Sequence, residues 1–392
     1  MTPLDRRSFL GGALAGGLLA TPAASCAQGT GVMRPEDFDA TGRGDDSAAI
    51  QRMADAAARE RRTIDGGGRT YHVDTIHWPS GTRLANIRLV LLPGDRDDRS
   101  PVTIGQRGRV TRDLMFDRVV VDGNRANQVA VGRSGYADGA RSGFQIRGLV
   151  ERVTIRNCAA VNCATDGVMI FTDRQHRADD TYILRDIALV NVTCTGNRRH
   201  GLSADGFRAL SIRGCTFSRN GGDLTAGAAG DDGWAGARHK GVAYGRPFDV
   251  EDYLVGTGWA DLVIEDSDCR GNRTGALVYS QTMPDAPGFV PRRGLRIARC
   301  RFDEPGGNRW DPPLGIAQAT GYTGDLPTFR DVALIDNVFD HGPLRISGVD
   351  GLHLRGGQIA VTKRNETEPV IVVNSRRVVI APGKVVRTPA AG

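Results

Sequence analysis

The stretch Leu210-Ser211-Ile212-Arg213-Gly214-Cys215-Thr216-Phe217-Ser218-Arg219-Asn220 carries the pattern that decides the fold. Ile212, Cys215 and Phe217 give an apolar residue, a small one three positions on and an aromatic two positions after that. Outward from it the same spacing recurs as Phe116/Val119/Val121, Ile155/Cys158/Ala160 and Leu189/Val192/Cys194 on one side. On the other side stand Ile264/Ser267/Cys269, Ile297/Cys300/Phe302 and Leu334/Asn337/Phe339. An asparagine follows the third position by three residues at Asn124, Asn197, Asn220 and Asn272. A glycine then opens a second short apolar run, as in Gly167-Val168-Met169-Ile170, Gly201-Leu202-Ser203-Ala204 and Gly275-Ala276-Leu277-Val278. One such strand-turn-strand unit cannot bury its apolar face alone, whereas a stack of them buries a continuous column. Asparagine tolerates a left-handed turn and can bond its own copy one rung away. The units start 39, 34, 23, 52, 33 and 37 residues apart, so the shortest is near a minimal coil of a parallel β-helix and the others carry loop insertions. A sandwich would show even strand spacing of roughly 8–12 residues with hairpin dipeptides instead.

Upstream, Asp37-Phe38-Asp39-Ala40-Thr41-Gly42-Arg43-Gly44-Asp45-Asp46-Ser47-Ala48-Ala49-Ile50-Gln51 is followed by Gly66-Gly67-Gly68-Arg69-Thr70-Tyr71-His72-Val73 and by Trp78-Pro79-Ser80-Gly81-Thr82. These segments resemble the opening of the pectate-lyase-like superfamily. The resemblance covers residues 35–90 well and, through the coil pattern, extends loosely to residue 387. It implies a right-handed parallel β-helix, all-β, whose members include lyases, hydrolases, epimerases and phage tailspikes, so it speaks for fold more than for reaction. Locally, Asp46 or Ser47 can N-cap a helix running to about Arg62, which would plug the first coil and cover its open edge. The expected organisation is one β-helix domain over residues 28–392, with the cap at about 35–64 and coils at about 65–387.

Residues 1–27 read as an address. Arg6-Arg7 precede the weakly apolar run Gly11–Ala20, the arrangement of a twin-arginine export signal. Ser25-Cys26-Ala27 offers a cleavage site after Ala27, and Cys26 offers a lipid-acceptor alternative. The expected location is therefore periplasmic or secreted. No apolar run of the roughly 18 residues needed to span a membrane follows. Net charge is +6, and among 51 basic residues only Lys240, Lys363 and Lys384 are lysines. No nucleic-acid motif accompanies that mild basic bias, which suits an acidic polymer as partner or simply a GC-rich genome. Six cysteines remain, Cys158, Cys163, Cys194, Cys215, Cys269 and Cys300; most take core positions of the repeat, which predicts buried thiols over a disulfide framework.

Aligning the coils on the glycine of the second strand places Asp166, His200, Lys240 and Thr274 in one column, with Lys240-Gly241-Val242-Ala243-Tyr244 taken as the third strand. Stacked rungs lie about 4.8 Å apart, so Asp166, His200 and Lys240 would form a line of titratable groups. Asp205 would share a second column with Phe171, Gly245 and Tyr279. Lys240 ends the longest insertion, Gly221–His239, which holds Trp234 and Arg238; the other insertions are Thr172–Thr181, Gln281–Arg293 and Gly306–Thr328. Long loops on a compact repeat are sites of function.

β-Elimination of a uronate polymer needs a base, a cation for the carboxylate and an acid for the leaving oxygen. Lys240 as base, His200 sharing acid or base work, Asp166 and Asp205 orienting them, and Arg198, Arg199 and Arg238 on carboxylates would meet that need. Trp234, Tyr244 and Tyr279 would line the sugar. The expected function is thus an exported lyase of an acidic polysaccharide, with no cofactor required; Asp166 and Asp205 leave calcium open. Two alternatives stand beside it. Thr165-Asp166-Gly167 and His200-Gly201 are similar to fragments of the polygalacturonase pattern, which implies hydrolysis by paired carboxylates, although Ala164 and Arg199 depart from it and no Asp-Asp pair lies on a strand between them. The other is a non-catalytic carbohydrate-binding solenoid.

Overall fold

The structure, a computed structural model, describes residues 31–94, 99–106, 108–128, 141–172, 184–221, 245–252, 258–303, 312–319, 322, 324–361 and 368–387. The expected export signal with Cys26 lies outside these residues, as do Trp234, Arg238, Lys240 and Tyr244. The chain forms a parallel β-helix. One coil is built from Leu202–Ala204, Phe207–Arg213 and Thr216–Ser218. The first of these belongs to a ten-stranded sheet, the other two to a nineteen-stranded one. Among the described residues no helix is long and apolar enough to cross a membrane.

The repeat positions stack in register. Phe116, Ile155, Leu189, Ile212, Ile264, Ile297 and Leu334 pair rung to rung as one buried column. Val121, Ala160, Cys194, Phe217, Cys269, Phe302 and Phe339 form a second. Alternate residues point outward because side chains alternate along a strand. Between the two columns the chain turns through a left-handed residue: Arg118, Asn157, Asn191, Gly214, Asp266, Arg299 and Asp336 have φ of 52, 53, 53, 62, 53, 54 and 52°.

The residue after each turn explains three of the cysteines, Cys158, Cys215 and Cys300. Its backbone N–H lies along the helix axis and needs an acceptor from the next rung. Val119 N–H donates to Cys158 Sγ (3.3 Å) and Val192 N–H to Cys215 Sγ (3.4 Å). Cys215 N–H donates to Ser267 Oγ (3.1 Å) and Cys300 N–H to Asn337 Oδ1 (2.9 Å). Small side chains with an acceptor atom suit that place, and thiols serve it weakly. All six cysteines are free and buried. Burial pushes the Cys158 and Cys215 thiols up to about 12 and 11. Thiolate is the reactive form, so these six thiols are expected to resist a thiol reagent in the native protein and to react together on unfolding. Native labelling of Cys194 or Cys269 at the rate of a free thiol would contradict this.

The asparagines divide two duties. Asn197 Nδ2 donates to Asn220 Oδ1 (3.0 Å), and Asn220 Nδ2 to Asn272 Oδ1 (2.8 Å), inside the coil and without left-handed backbone. Left-handed turns fall instead to Asn157 and Asn191, and Asn124, at φ 50°, stands outside the buried ladder, where Cys163 takes its place and donates from its N–H to Asn197 Oδ1 (3.0 Å).

The cap helix runs over Ser47–Glu60 and buries Ala49, Ile50, Met53, Ala54, Ala56 and Ala57 on the first coils. Asp46 sits at its N-cap position but accepts from Thr41 N–H (2.7 Å) and Gly42 N–H (3.0 Å), tightening the preceding turn instead of the helix. Gln51 joins helix to coil like a strand residue, donating to His77 O (2.8 Å) and accepting from His77 N–H (2.9 Å). The expected insertion Gly306–Thr328 is not one loop, since Leu314–Ala317 within it is a strand of the ten-stranded sheet.

Candidate functional site

The column of titratable groups needs a correction. The strand paired to Leu202–Ala204 is Phe248–Asp252, with Leu202 opposite Phe248 and Ala204 opposite Val250. Pro247, not Gly241, therefore stands opposite Gly201, and Gly201 N–H donates to Arg246 O (2.9 Å). The column reads Asp166, His200, Arg246, Thr274. Likewise the neighbour of Asp205 and Tyr279 in the second column is Glu251, where Gly245 was expected; Glu251 is paired with Tyr279.

Asp166 is fully buried. Its Oδ1 accepts from Arg199 Nε (2.8 Å) and from the His200 backbone N–H (3.0 Å), while Oδ2 accepts from Arg199 Nη2 (2.5 Å). A bidentate guanidinium–carboxylate pair of this kind fixes orientation as well as charge. His200 is held from both ring nitrogens. Its Nδ1 accepts from Arg246 N–H (3.3 Å), so the neutral ring carries its proton on Nε2, which faces Asp249 Oδ2 at 3.1 Å. Arg246 Nε lies 3.7 Å from the same oxygen, and Arg246 Nη1 donates to Gly275 O (3.1 Å). Arg198 is buried, and its backbone N–H donates to Cys163 O (2.9 Å). Asp205 Oδ1 accepts from Thr172 N–H (2.9 Å).

Asp249 and Glu251 are two apart on one strand and share its outward face. They are the residues that the sequence reading missed. Phe248-Asp249-Val250-Glu251 alternates apolar and acidic, which is the signal of two carboxyls on one side of a strand. Their environments differ. Burial pushes Glu251 up, and the Asp249 charge and hydrogen bond push it further, to about 8, against the pull of Arg246 and Arg199. Burial also opposes ionisation of Asp249, but His200, Arg246 and Arg199 outweigh it and hold that carboxyl below its ordinary value. Near neutral pH the pair is one acid and one carboxylate.

A pH signature follows. In the unfolded chain Glu251 has its ordinary value of 4.5, and in the fold about 8. Between these the folded state holds the extra proton, so stability falls as pH rises through that window. Carboxylates held low, Asp113 and Asp266 by arginines and Asp117 first by the Asn157 amide, act only at lower pH, and Asp303, raised by burial, acts just above its ordinary value of 3.8. Thermal unfolding of Glu251→Gln is therefore expected to lose the decline that the parent shows between about pH 4.5 and 8. A parallel decline in both proteins would contradict the assignment.

Among the described residues no group of three or more His, Cys, Asp or Glu side chains is arranged to hold a metal ion. Of the expected site residues the structure brings Asp166, Arg199 and His200 together, buries Arg198, and sets Asp205 and Tyr279 on either side of Glu251. No family model matches the chain, and no curated protein matches it. Among solved structures, the N-terminal fragment of bacteriophage phi29 gene product 12 is similar with a TM-score of 0.51 and 13% identity, over 92% of this chain and 71% of that one. The pre-mature phi29 gene product 12 has a TM-score of 0.51 and 14% identity, over 92% of this chain and 57% of its own. The A-module of Azotobacter vinelandii mannuronan C-5 epimerase AlgE6 has a TM-score of 0.47 and 16% identity, over 91% and 99%. The likeness is one of fold. The chemistry has to be argued from the side chains of the second sheet.

Proposed function

We propose that the chain is an exported polysaccharide-cleaving enzyme that hydrolyses a glycosidic bond at the outer face of the ten-stranded sheet, with Glu251 as acid and Asp249 as base. The observation that carries this reading is the placement of two carboxyls on one face of one strand, with His200 Nε2 and Arg246 Nε against Asp249, and the opposite directions of their pKa shifts agree with an acid and base assignment. The Glu251 proton passes to the glycosidic oxygen as its bond to the anomeric carbon breaks. A water attacks that carbon and gives its proton to Asp249, whose orientation is fixed by His200 Nε2. The cycle leaves Glu251 ionised and Asp249 protonated, and proton exchange with solvent restores the start. Arg199 and Arg246, whose charges act on the pair, suit an acidic polymer.

Elimination is the second reading, favoured by the same arginines, which could neutralise a uronate carboxylate while His200 or Lys240 removes the neighbouring proton. The deciding experiment incubates the protein with a panel of acidic and neutral polysaccharides and follows reducing ends together with the ultraviolet absorbance of unsaturated uronate. New ends without absorbance support hydrolysis, and new ends with absorbance support elimination. Binding without either signal supports a carbohydrate-binding solenoid.

A further inference from the structure

We infer that Asp166 and Arg199 form a positioning clamp: Asp166 fixes the Arg199 guanidinium and the His200 backbone so that both act on the Asp249–Glu251 pair one rung away. This rests on the proposed acid–base reading of that pair. Asp166 has no face toward solvent, so it cannot touch a polymer, although residue type and column suggested a catalytic group. Its acceptor capacity is committed, with one oxygen shared by Arg199 Nε and His200 N–H and the other taken by Arg199 Nη2. Arg199 in turn feels Asp249 and Glu251 as well as Asp166. His200, held by its backbone on the Asp166 side, meets Asp249 with Nε2. One buried carboxylate thereby places the hydrogen-bond donor to Asp249 and a cation within the field of both carboxyls. Asp166 is thus a positioning residue.

The groups facing the pair among the described residues are His200 and Arg199 from the preceding coil, Arg246 from its own, Asp205 on the preceding rung and Tyr279 on the next. Of these, Arg199 is the one whose guanidinium Asp166 holds in place. Removing a nearby cation makes carboxyls harder to ionise. Arg199→Met is therefore expected to move both limbs of the pH–rate profile to higher pH, by roughly one unit, while Arg199→Lys, which keeps the charge, leaves the limbs nearer the parent's. Asp166→Asn, which frees the guanidinium, should lower kcat more than it raises KM. The second readout needs no turnover. The pH dependence of thermal unfolding, taken as the difference between each protein and the same protein carrying Glu251→Gln, isolates the Glu251 proton from that of Asp166, and its midpoint should move upward in Arg199→Met. If no polysaccharide is cleaved but that midpoint moves, the clamp stands and the hydrolase reading falls. If Arg199→Met lowers activity with neither limb nor unfolding midpoint displaced, Arg199 is structural and the clamp is refuted.

Discussion

Glu251→Gln is expected to lower turnover by at least about 100-fold, the usual scale of a lost proton-transfer group, with the protein still folded. Glutamine keeps the size of the protonated side chain and can still donate to Asp249, so packing around Val250 and Tyr279 has no reason to change. What it cannot do is give up a proton. Asp249→Asn should cost as much turnover and also cost stability, because His200 Nε2 and the Arg246 guanidinium both lose their anion. Initial rates of reducing-end release, read beside thermal melts of each variant, separate lost chemistry from lost fold. Lys240→Ala is the contrasting variant. A Lys240→Ala protein that is folded and inactive, beside a Glu251→Gln protein that retains full activity, would sink the carboxyl pair and return the base to the lysine that elimination requires.

The coil was legible because its two apolar columns repeat with fixed internal spacing, and every one of those seven triplets falls in register. The site was half legible. Asp166 and His200 stand immediately before a glycine that must approach the next rung closely. A Cβ on Gly167 would come 2.8 Å from Gly201 O, and one on Gly201 would come 2.6 Å from Pro247 O. The same rule applied once more leads to Lys240-Gly241, but this coil meets the requirement differently. Its close approach is made by Gly245, where a Cβ would meet Asn220 O at 2.1 Å, and its strand is opened by Pro247. A search keyed on glycine therefore slips six residues, trades Arg246 for Lys240, and passes over the two acids just beyond. The opposed protonation of those acids was beyond a sequence reading altogether, since it depends on burial and on His200 and Arg199 brought from the preceding coil.

Asn220→Ala is expected to destabilise the protein by about 3–5 kcal/mol, a large share of the roughly 5–15 kcal/mol that holds a typical domain together. Asn220 is fully buried at the middle of a three-residue ladder. Its Oδ1 accepts from both the backbone N–H (3.2 Å) and Nδ2 (3.0 Å) of Asn197. Its Nδ2 donates to Cys194 O (3.2 Å) and to Asn272 Oδ1 (2.8 Å). Alanine would strand the Asn197 backbone N–H and leave Asn197 Nδ2 only its bond to Ala160 O (3.3 Å), in a space closed by Gly201 and Phe217, and each buried orphan costs about 1–3 kcal/mol. Asn272 Oδ1 would keep only the Asn220 backbone N–H, at 3.3 Å. Asn220→Asp should be no better, because a carboxylate offers no donor to Cys194 O or Asn272 Oδ1. Asn124→Ala is the control. Asn124 is half-buried and its side chain donates to Leu91 O (2.9 Å) outside the ladder, so its loss should cost about 1 kcal/mol. Denaturant melts of both variants decide the matter. Equal costs would mean that the asparagine ladder is an ordinary turn feature, whereas a gap of about 2 kcal/mol or more makes it a continuous hydrogen-bonded spine, the polar counterpart of the apolar columns it runs beside.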